Sequence, residues 1–143
     1  MRNLLLLTGT ALALLIPPAA ADEAAKKASG FEAKPLFKAS QTADGGALML
    51  PAPDKAEITS AAVTIQPGGH TALHQHPVVS FAYILEGELD VHQGEIVRHY
   101  KAGDALIEPI NSPMQAFNSG AGVTRMLVVN FGEQGKPSMI AVK

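Results

Sequence analysis

Short runs of alternating apolar and polar residues dominate the chain from residue 58 onward, and glycine or proline separates one run from the next. A period of two is typical of a half-buried β-strand, because successive side chains point to opposite faces. Such closely spaced strands favour an all-β, antiparallel sandwich or barrel. The runs predict seven strands at 58–66, 80–85, 88–92, 96–101, 105–110, 114–118 and 123–131.

The first 21 residues have a different pattern. A basic Arg2 precedes an apolar run over residues 4–16, a Pro17-Pro18 break and three alanines that end at Ala21. This order predicts a secretory signal peptide with a small-residue cleavage site. The run is shorter than the roughly 20 residues that a membrane-spanning helix needs. We therefore expect a periplasmic or secreted protein that is cut near Ala21 and has no membrane span in its mature form.

Two segments precede the predicted strands. Residues 22–30 are small and charged without apolar periodicity, which predicts a mobile tether. Residues 31–143 are then expected to form a single domain that starts with an extended segment. Within that segment, over residues 32–58, the apolar patches and the turn signal Asp44-Gly45-Gly46 predict one or two edge strands.

Charge and cysteine content narrow the function further. The chain has 11 basic and 13 acidic residues and a formal net charge of −2. Because nucleic acids and anionic membranes bind clustered lysine and arginine, neither is an expected partner. The chain has no cysteine, so stability has to come from the core, and thiolate is excluded as a metal ligand.

The stretch HTALHQHP at 70–77 contains three of the five histidines. Residues two apart on a strand project to the same face, so His74 and His76 can present both imidazoles to one point inside a barrel. Imidazole is a common metal ligand. The spacing therefore allows two interpretations of His74 and His76, a metal site in a barrel or a pair of imidazoles that are hydrated or bonded to backbone at a strand mouth, and the barrel context favours the metal site. His70 is expected in solvent near the approach to it.

Two groups of residues at fixed spacing resemble the two motifs of the cupin superfamily. The first group is Gly68, His74, His76 and Gly87, and the second is Gly103, Pro109 and Asn118. The resemblance covers about residues 67–118, and the flanking predicted strands extend it to most of the chain after residue 31. It implies an antiparallel jelly-roll β-barrel. Separately, Gly87 and Gly103 stand in turn signals after predicted strands, and we predict constrained turn positions there, where alanine would be destabilising if φ is positive.

Cupin metal sites usually use two histidines and a glutamate from the first motif and a histidine from the second. Here Ser80 stands at the glutamate position and Met114 at the second-motif histidine position. The Ser80 hydroxyl is a poor ligand and is expected to form a hydrogen bond or to leave space. Met114 is either a soft third ligand, which would favour copper, or an apolar side chain that fills the vacated space.

Other polar residues of the second motif are weaker candidates for the same interior site. Glu108 is the carboxylate that could replace the missing glutamate, although its strand parity is open. Tyr83, Gln115 and Asn118 could orient a small ligand in the barrel mouth, together with Ser80. His92 and His99 flank a Gln93-Gly94 turn, where a surface location is expected.

Three functions remain open at this point. The first is an exported barrel that binds a metal ion or a small molecule through His74 and His76, with copper if Met114 ligates and Mn, Fe, Ni or Zn otherwise. The second is a metal-dependent enzyme of the dioxygenase or isomerase type. The third is a metal-free barrel that serves interactions, for which a homodimer is a candidate assembly.

Overall fold

A computed structural model describes residues 32–142, and the predicted signal peptide and tether lie outside the described residues. These residues form nine strands and no helix, so the prediction of an all-β fold is confirmed. None of the described residues belongs to a helix long and apolar enough to cross a membrane. The strands are β1 (Ala56–Ile65), β2 (His74–Gln75), β3 (Val79–Glu86), β4 (Glu88–Gln93), β5 (Ile96–Lys101), β6 (Ala105–Glu108), β7 (Gln115–Asn118), β8 (Thr124–Glu133) and β9 (Ile140–Ala141).

The strands form three antiparallel sheets. The largest has the order β1-β8-β3-β6, the second β5-β4-β7, and the smallest pairs β2 with β9. The order is not that of the sequence, since the long strand β8 returns to lie between β1 and β3. The antiparallel jelly-roll barrel predicted from the sequence is therefore confirmed.

Alternation along the strands places one set of side chains between the two larger sheets. In β3 the even positions Ser80, Ala82 and Ile84 are buried, whereas Phe81 and Tyr83 are only partly buried. In β4 Leu89 and Val91 point inward by the same rule. The core combines buried residues of both sheets and consists of Ile65, Ala82, Ile84, Leu89, Val91, Leu106, Met114, Ala116 and Met126.

All seven predicted strands occur, with ends that shift by one or two residues. Residues 105–110 form a shorter strand that stops at Glu108, because Pro109 has no N–H to donate to a ladder. The prediction of edge strands over residues 32–58 is wrong for the part before β1. That segment has a single isolated bridge, Gln41 to Ala47, around the expected turn.

The extended segment covers part of the outer face of the large sheet. The Ala43 N–H donates to the Ile107 carbonyl at 2.7 Å, next to β6. The rings of Phe37 and Phe81 lie 5.6 Å apart between centroids. The segment therefore pairs part of its backbone through a turn and one contact with β6, and its Ala43 packs against the core cluster.

Candidate metal and ligand site

A cavity of about 410 Å³ opens inside the barrel. Inward-facing side chains of β1, β4, β7 and β8 form much of its wall, and the segments around β2 and β9 close one side. Most of the lining is apolar. The polar lining residues are Thr71, His74, His76, Glu108, Asn130 and Ser138.

Backbone hydrogen bonds hold both candidate histidines at this cavity. The His74 N–H donates to the Met114 carbonyl at 3.0 Å, and the Met114 N–H donates back at 2.7 Å. The carbonyl of His76 accepts a hydrogen bond from the Asn111 N–H at 2.7 Å. The two imidazole centroids lie 5.1 Å apart with their planes at 84°. The structure thus brings together the two residues that the spacing singled out, and both are buried.

The hydrogen bonds of the imidazoles define their tautomers. Nδ1 of His74 lies 2.8 Å from the Ala72 carbonyl oxygen, and Nδ1 of His76 lies 2.7 Å from that of Ser138. A carbonyl oxygen can only accept, so each Nδ1 carries the proton and donates. In the neutral rings both Nε2 atoms then have a free lone pair, which is the form in which histidine binds a metal.

Glu108 lies beside the position where cupins usually carry their glutamate. In the antiparallel register Glu108 of β6 faces Ser80 of β3, so both side chains point into the barrel. Ser80 is fully buried, and its small side chain leaves space next to the longer carboxylate. Oε2 of Glu108 reaches to 3.1 Å from Nε2 of His76. The register therefore resolves the strand parity of Glu108 in favour of the interior.

The contact between Glu108 and His76 is close without being a hydrogen bond. Oε2 is buried and has no hydrogen-bond partner among the described residues, although Nε2 of His76 lies within ion-pair distance at 3.1 Å. An unpaired buried carboxylate oxygen is costly. Two donors bound to one ion at about 2.0 to 2.2 Å stand roughly 3 Å apart. The separation and the missing hydrogen bond both fit two ligands of a shared ion.

The three side chains are suitable metal ligands by their chemistry, but their present arrangement is not that of a formed metal site. Two imidazole nitrogens and a carboxylate oxygen are an ordinary ligand set. Within residues 32–142, however, no three His, Asp or Glu side chains surround a common point. Glu108 contacts His76 rather than standing between the histidines, so the three side chains would have to close around a bound ion.

Met114 lies in the core. It is paired with His74 through the backbone, and only 1% of its surface is exposed. Its neighbours are the apolar core residues, and it does not contribute to the cavity wall. The thioether thus occupies the position of a lost ligand as packing material, which is a common role for methionine.

The structure does not bring the other candidates to the cavity. Tyr83 has the opposite parity to Ser80 and lies on the outer face of β3. Gln115 faces away from the core and donates to the Thr71 carbonyl at 2.8 Å. Asn118 is buried, but its amide bonds the carbonyls of Ile65 and Gly122 and the Gly120 N–H, so it closes a turn.

The remaining three histidines lie outside the cavity. His70 and His92 both lie against the ring of Phe117, with centroids 5.3 and 4.4 Å away. Nδ1 of His99 lies 2.7 Å from a carboxylate oxygen of Asp90. This hydrogen bond lowers the pKa of Asp90 below its ordinary value. These histidines therefore lie on the outer face of the β5-β4-β7 sheet.

Three polar lining residues, Thr71, Asn130 and Ser138, were missed from the sequence. Asn130 of β8 faces Ser80 in register, so it lies in the same inward row as Glu108. A polar residue in the apolar run LVVNF was a usable signal, since buried polar residues are the informative exceptions. The Ser138 carbonyl, which orients His76, gave no signal because a backbone oxygen is present at every residue.

Comparison with known families identifies the barrel. The family model described as "Cupin domain" matches residues 61–130, which include His74, His76, Glu108 and Asn130. The chain therefore contains a cupin domain. Among curated protein sequences, none matches the chain significantly.

Solved structures share this cupin fold. An oxalate decarboxylase from Lactobacillus farciminis, in a formate complex, is 30% identical with a TM-score of 0.50 over 59% of this chain and 26% of that chain. A cupin-like protein from Thermotoga maritima is 19% identical with a TM-score of 0.53 over 59% of this chain and 64% of its own.

A third structure, of an oxalate decarboxylase with Mn(II) centres from Bacillus subtilis, is 24% identical with a TM-score of 0.50. The match covers 59% of this chain and 24% of that chain. This chain therefore spans about a quarter of each decarboxylase and less than two thirds of the Thermotoga maritima protein.

Proposed function

We propose that the cupin barrel binds one transition-metal ion through His74, His76 and Glu108 and receives a small molecule in the cavity beside it. The observation that carries the proposal is the unpaired buried Oε2 of Glu108, 3.1 Å from the free lone pair of His76 Nε2. Bound metal would remove the cost of that unpaired oxygen. Three protein ligands would leave coordination positions for water or a ligand.

The ligand set favours an ion that accepts nitrogen and oxygen donors. Mn, Fe, Ni and Zn all bind imidazole and carboxylate, whereas copper(I) prefers sulfur. Met114 is packed in the core, which argues against copper selection by its thioether. The Mn(II) centres of the Bacillus subtilis oxalate decarboxylase make manganese the first metal to test.

Binding is favoured over catalysis by the groups available in the cavity. Its titratable lining residues are His74, His76 and Glu108, and all three are ligands in this proposal. A dioxygenase or isomerase needs a proton-transfer group that is free to act. A metal-free interaction barrel would leave the buried Glu108 oxygen with the His76 contact alone and no hydrogen bond, so we favour the metal-binding function over both alternatives.

We also propose that the protein is exported and that it forms a homodimer. The charged start, apolar run and alanine-rich end of residues 1–21 support secretion. We expect the mature protein, isolated from the cell envelope or medium, to begin at Asp22, as measured by intact mass. Retention of residues 1–21 would contradict secretion with cleavage after Ala21.

A homodimer stays a prediction, supported by the long edge strand β1 with its exposed Ile58.

Two variants at Glu108 test the metal proposal. Glu108→Gln is expected to weaken Mn(II) binding by about tenfold or more, because the amide is a poorer ligand than the carboxylate. The double variant Ser80→Glu/Glu108→Ser moves the carboxylate to the directly opposed position and is expected to recover most of the affinity. Free Mn(II) is followed by electron paramagnetic resonance during titration of chelator-treated protein.

The exposed Glu57 on β1 supplies the matched control, as Glu57→Gln removes the same charge away from the cavity. Its Mn(II) affinity should equal that of the wild type. Metal-free Glu108→Gln should be no less stable to heat than the wild type, because its amide N–H can donate to the Nε2 lone pair of His76, to which the carboxylate cannot donate. Unchanged Mn(II) affinity in Glu108→Gln would rule out Glu108 as a ligand.

A further inference from the structure

The segment that follows β8 forms one side of the cavity. We call residues 134–142, which include β9, the β9 strap. Ser138, Met139 and Ala141 of this strap line the cavity together with both candidate histidines. Gly135, with φ +79°, turns the chain from β8 into the strap. The cavity is therefore covered on this side by a segment that belongs to neither of the two larger sheets.

The β9 strap is attached to the barrel by short and exposed pairing. β9 pairs with β2 over two residues, and the Val142 N–H donates to the Leu73 carbonyl at 3.0 Å. Met139 and Ile140 are 57% and 40% exposed, and no residue of the described core cluster belongs to the strap. Segments with little buried apolar surface and exposed backbone hydrogen bonds open locally at low free-energy cost. The strap is thus expected to open more readily than the two larger sheets.

The two candidate histidines take their hydrogen-bond acceptors from different parts of the chain. Nδ1 of His74 donates to the Ala72 carbonyl, two residues earlier. Nδ1 of His76 donates to the Ser138 carbonyl, 62 residues later in the strap. When the strap opens, the ring of His74 keeps its acceptor, and the backbone of His74 keeps its hydrogen bonds to Met114. The ring of His76 loses the acceptor that orients it.

Loss of the Ser138 acceptor changes which nitrogen of His76 carries the proton. In a neutral imidazole one nitrogen donates and the other accepts. With the strap closed, Nδ1 carries the proton and Nε2 has a free lone pair. Oε2 of Glu108, which has no hydrogen bond among the described residues, lies 3.1 Å from Nε2. With the strap open, a proton on Nε2 can satisfy that carboxylate, and Nε2 is then no longer available to a metal.

We propose that the β9 strap controls the metal site, because in its closed position it covers the cavity and holds His76 in the tautomer that binds an ion. Opening of the strap exposes the cavity and turns His76 into a donor to Glu108. Coupling between two events is reciprocal, so an ion bound to Nε2 stabilises the closed strap. The proposal rests on the proposed function for the ion, whereas the coupling of strap and tautomer is a property of the metal-free chain.

Proline substitutions in β9 test this coupling in the intact chain. Backbone N–H groups two residues apart on a strand point the same way, so the N–H of Ile140 faces β2 as that of Val142 does. Ile140→Pro/Val142→Pro removes both donors and keeps the preceding residues extended. It is expected to raise the ratio of open to closed strap about tenfold or more. Ile140→Ala/Val142→Ala keeps both N–H groups and is the matched control.

The tautomers are measured by NMR of the ring nitrogens in chelator-treated protein at pH 9, above the ordinary histidine pKa of about 6.5. Both rings of the wild type and of the alanine control should carry the proton on Nδ1. In the proline variant the proton of His76 should move toward Nε2, whereas that of His74 stays on Nδ1. The proposal is overturned by an unchanged His76 in the proline variant, or by a wild-type His76 protonated on Nε2.

Hydrogen exchange measures the effect of a metal on the strap. Saturating Zn(II), which is diamagnetic, should slow exchange of the Val142 N–H in the wild type about tenfold or more. Exchange of the Gly45 N–H, which donates to Thr42 in a turn outside the cavity wall, should not change. Equal exchange of the Val142 N–H with and without bound Zn(II) would contradict a strap that closes on the metal site.

Metal affinity separates the strap proposal from the metal proposal. The proline variant should bind Zn(II) about tenfold or more weakly than the alanine control, since loss of a group that orients a ligand typically costs about 10- to 100-fold. Equal affinities of these two variants would refute the strap proposal and leave the metal site standing. Absence of Zn(II) and Mn(II) binding in the wild type would refute the metal site and leave the tautomer result standing.

Discussion

The double variant His74→Ala/His76→Ala is expected to lose stoichiometric Mn(II) binding, with an affinity at least about a hundredfold below that of the wild type. Removal of a group that merely supports a ligand typically costs about 10- to 100-fold in metal affinity, so removal of two ligands should cost more. Glu108 would remain as a lone carboxylate. A single carboxylate in a mainly apolar cavity is too sparse a ligand set to hold the ion.

Thermal stability gives a second measure of Mn(II) binding and of its loss in the double variant. A ligand that binds only the folded state stabilises it by about 2.7 kcal/mol when its concentration is 100 times its dissociation constant. For a domain of this size that corresponds to a rise in Tm of roughly 10 °C. The wild type should show this rise with Mn(II), whereas His74→Ala/His76→Ala should melt at the same temperature with and without the metal.

The outer histidines provide the matched control. His92→Ala/His99→Ala removes the same number of imidazoles from the outward faces of β4 and β5. Mass spectrometry of the purified, untagged protein should find metal in the wild type and this control but not in His74→Ala/His76→Ala. The same metal content in all three proteins would contradict a site built on His74 and His76.

The sequence predicted the seven longer strands well because each has its own local signal. A short run of apolar residues, alternating in most of these strands, and a glycine or proline at its ends are both readable without knowledge of the partner strand. β2 and β9 have two residues each, so neither has an alternation to detect. Their pairing joins His74 to Ala141, and it depends on where the chain ends up after β8.

The residues of the candidate site also differ in whether a local sequence signal predicted them. The histidine pair was visible because a spacing of two is a local feature, whereas the role of Glu108 depends on the register of β6 against β3. A shift of one residue would turn the carboxylate outward. Met114 shows a further limit, since the resemblance places it at a ligand position but only packing shows that its side chain is in the core.

Gly87→Ala is expected to destabilise the fold by about 3 kcal/mol or more. Gly87 has φ +80°, which side-chain-bearing residues rarely adopt. A Cβ there would lie 2.5 Å from the Val123 carbonyl oxygen and 2.9 Å from the Thr124 Cα. Both are backbone atoms, of the first residue of β8 and of the residue before it, so relief requires movement of the chain rather than of a side chain.

Gly103 is the matched control for backbone conformation without the overlap. Its φ of +95° is also positive, in line with the turn positions that the sequence predicted for both glycines, but a Cβ there would meet no atom within 4 Å. Gly103→Ala should therefore cost only about 1 kcal/mol from the dihedral. Urea denaturation of both variants with unchanged m-values measures the difference directly.

The difference of about 2 kcal/mol between the two variants would be the contribution of the close approach alone. Equal losses would mean that β8 moves away from residue 87 at little cost. Met126, Val128 and Asn130 of β8 line the cavity, so such movement would also change the shape of the cavity wall. Gly87 is thus expected to hold β8 close to the β3-β4 turn, and the geometry of the cavity depends on that contact.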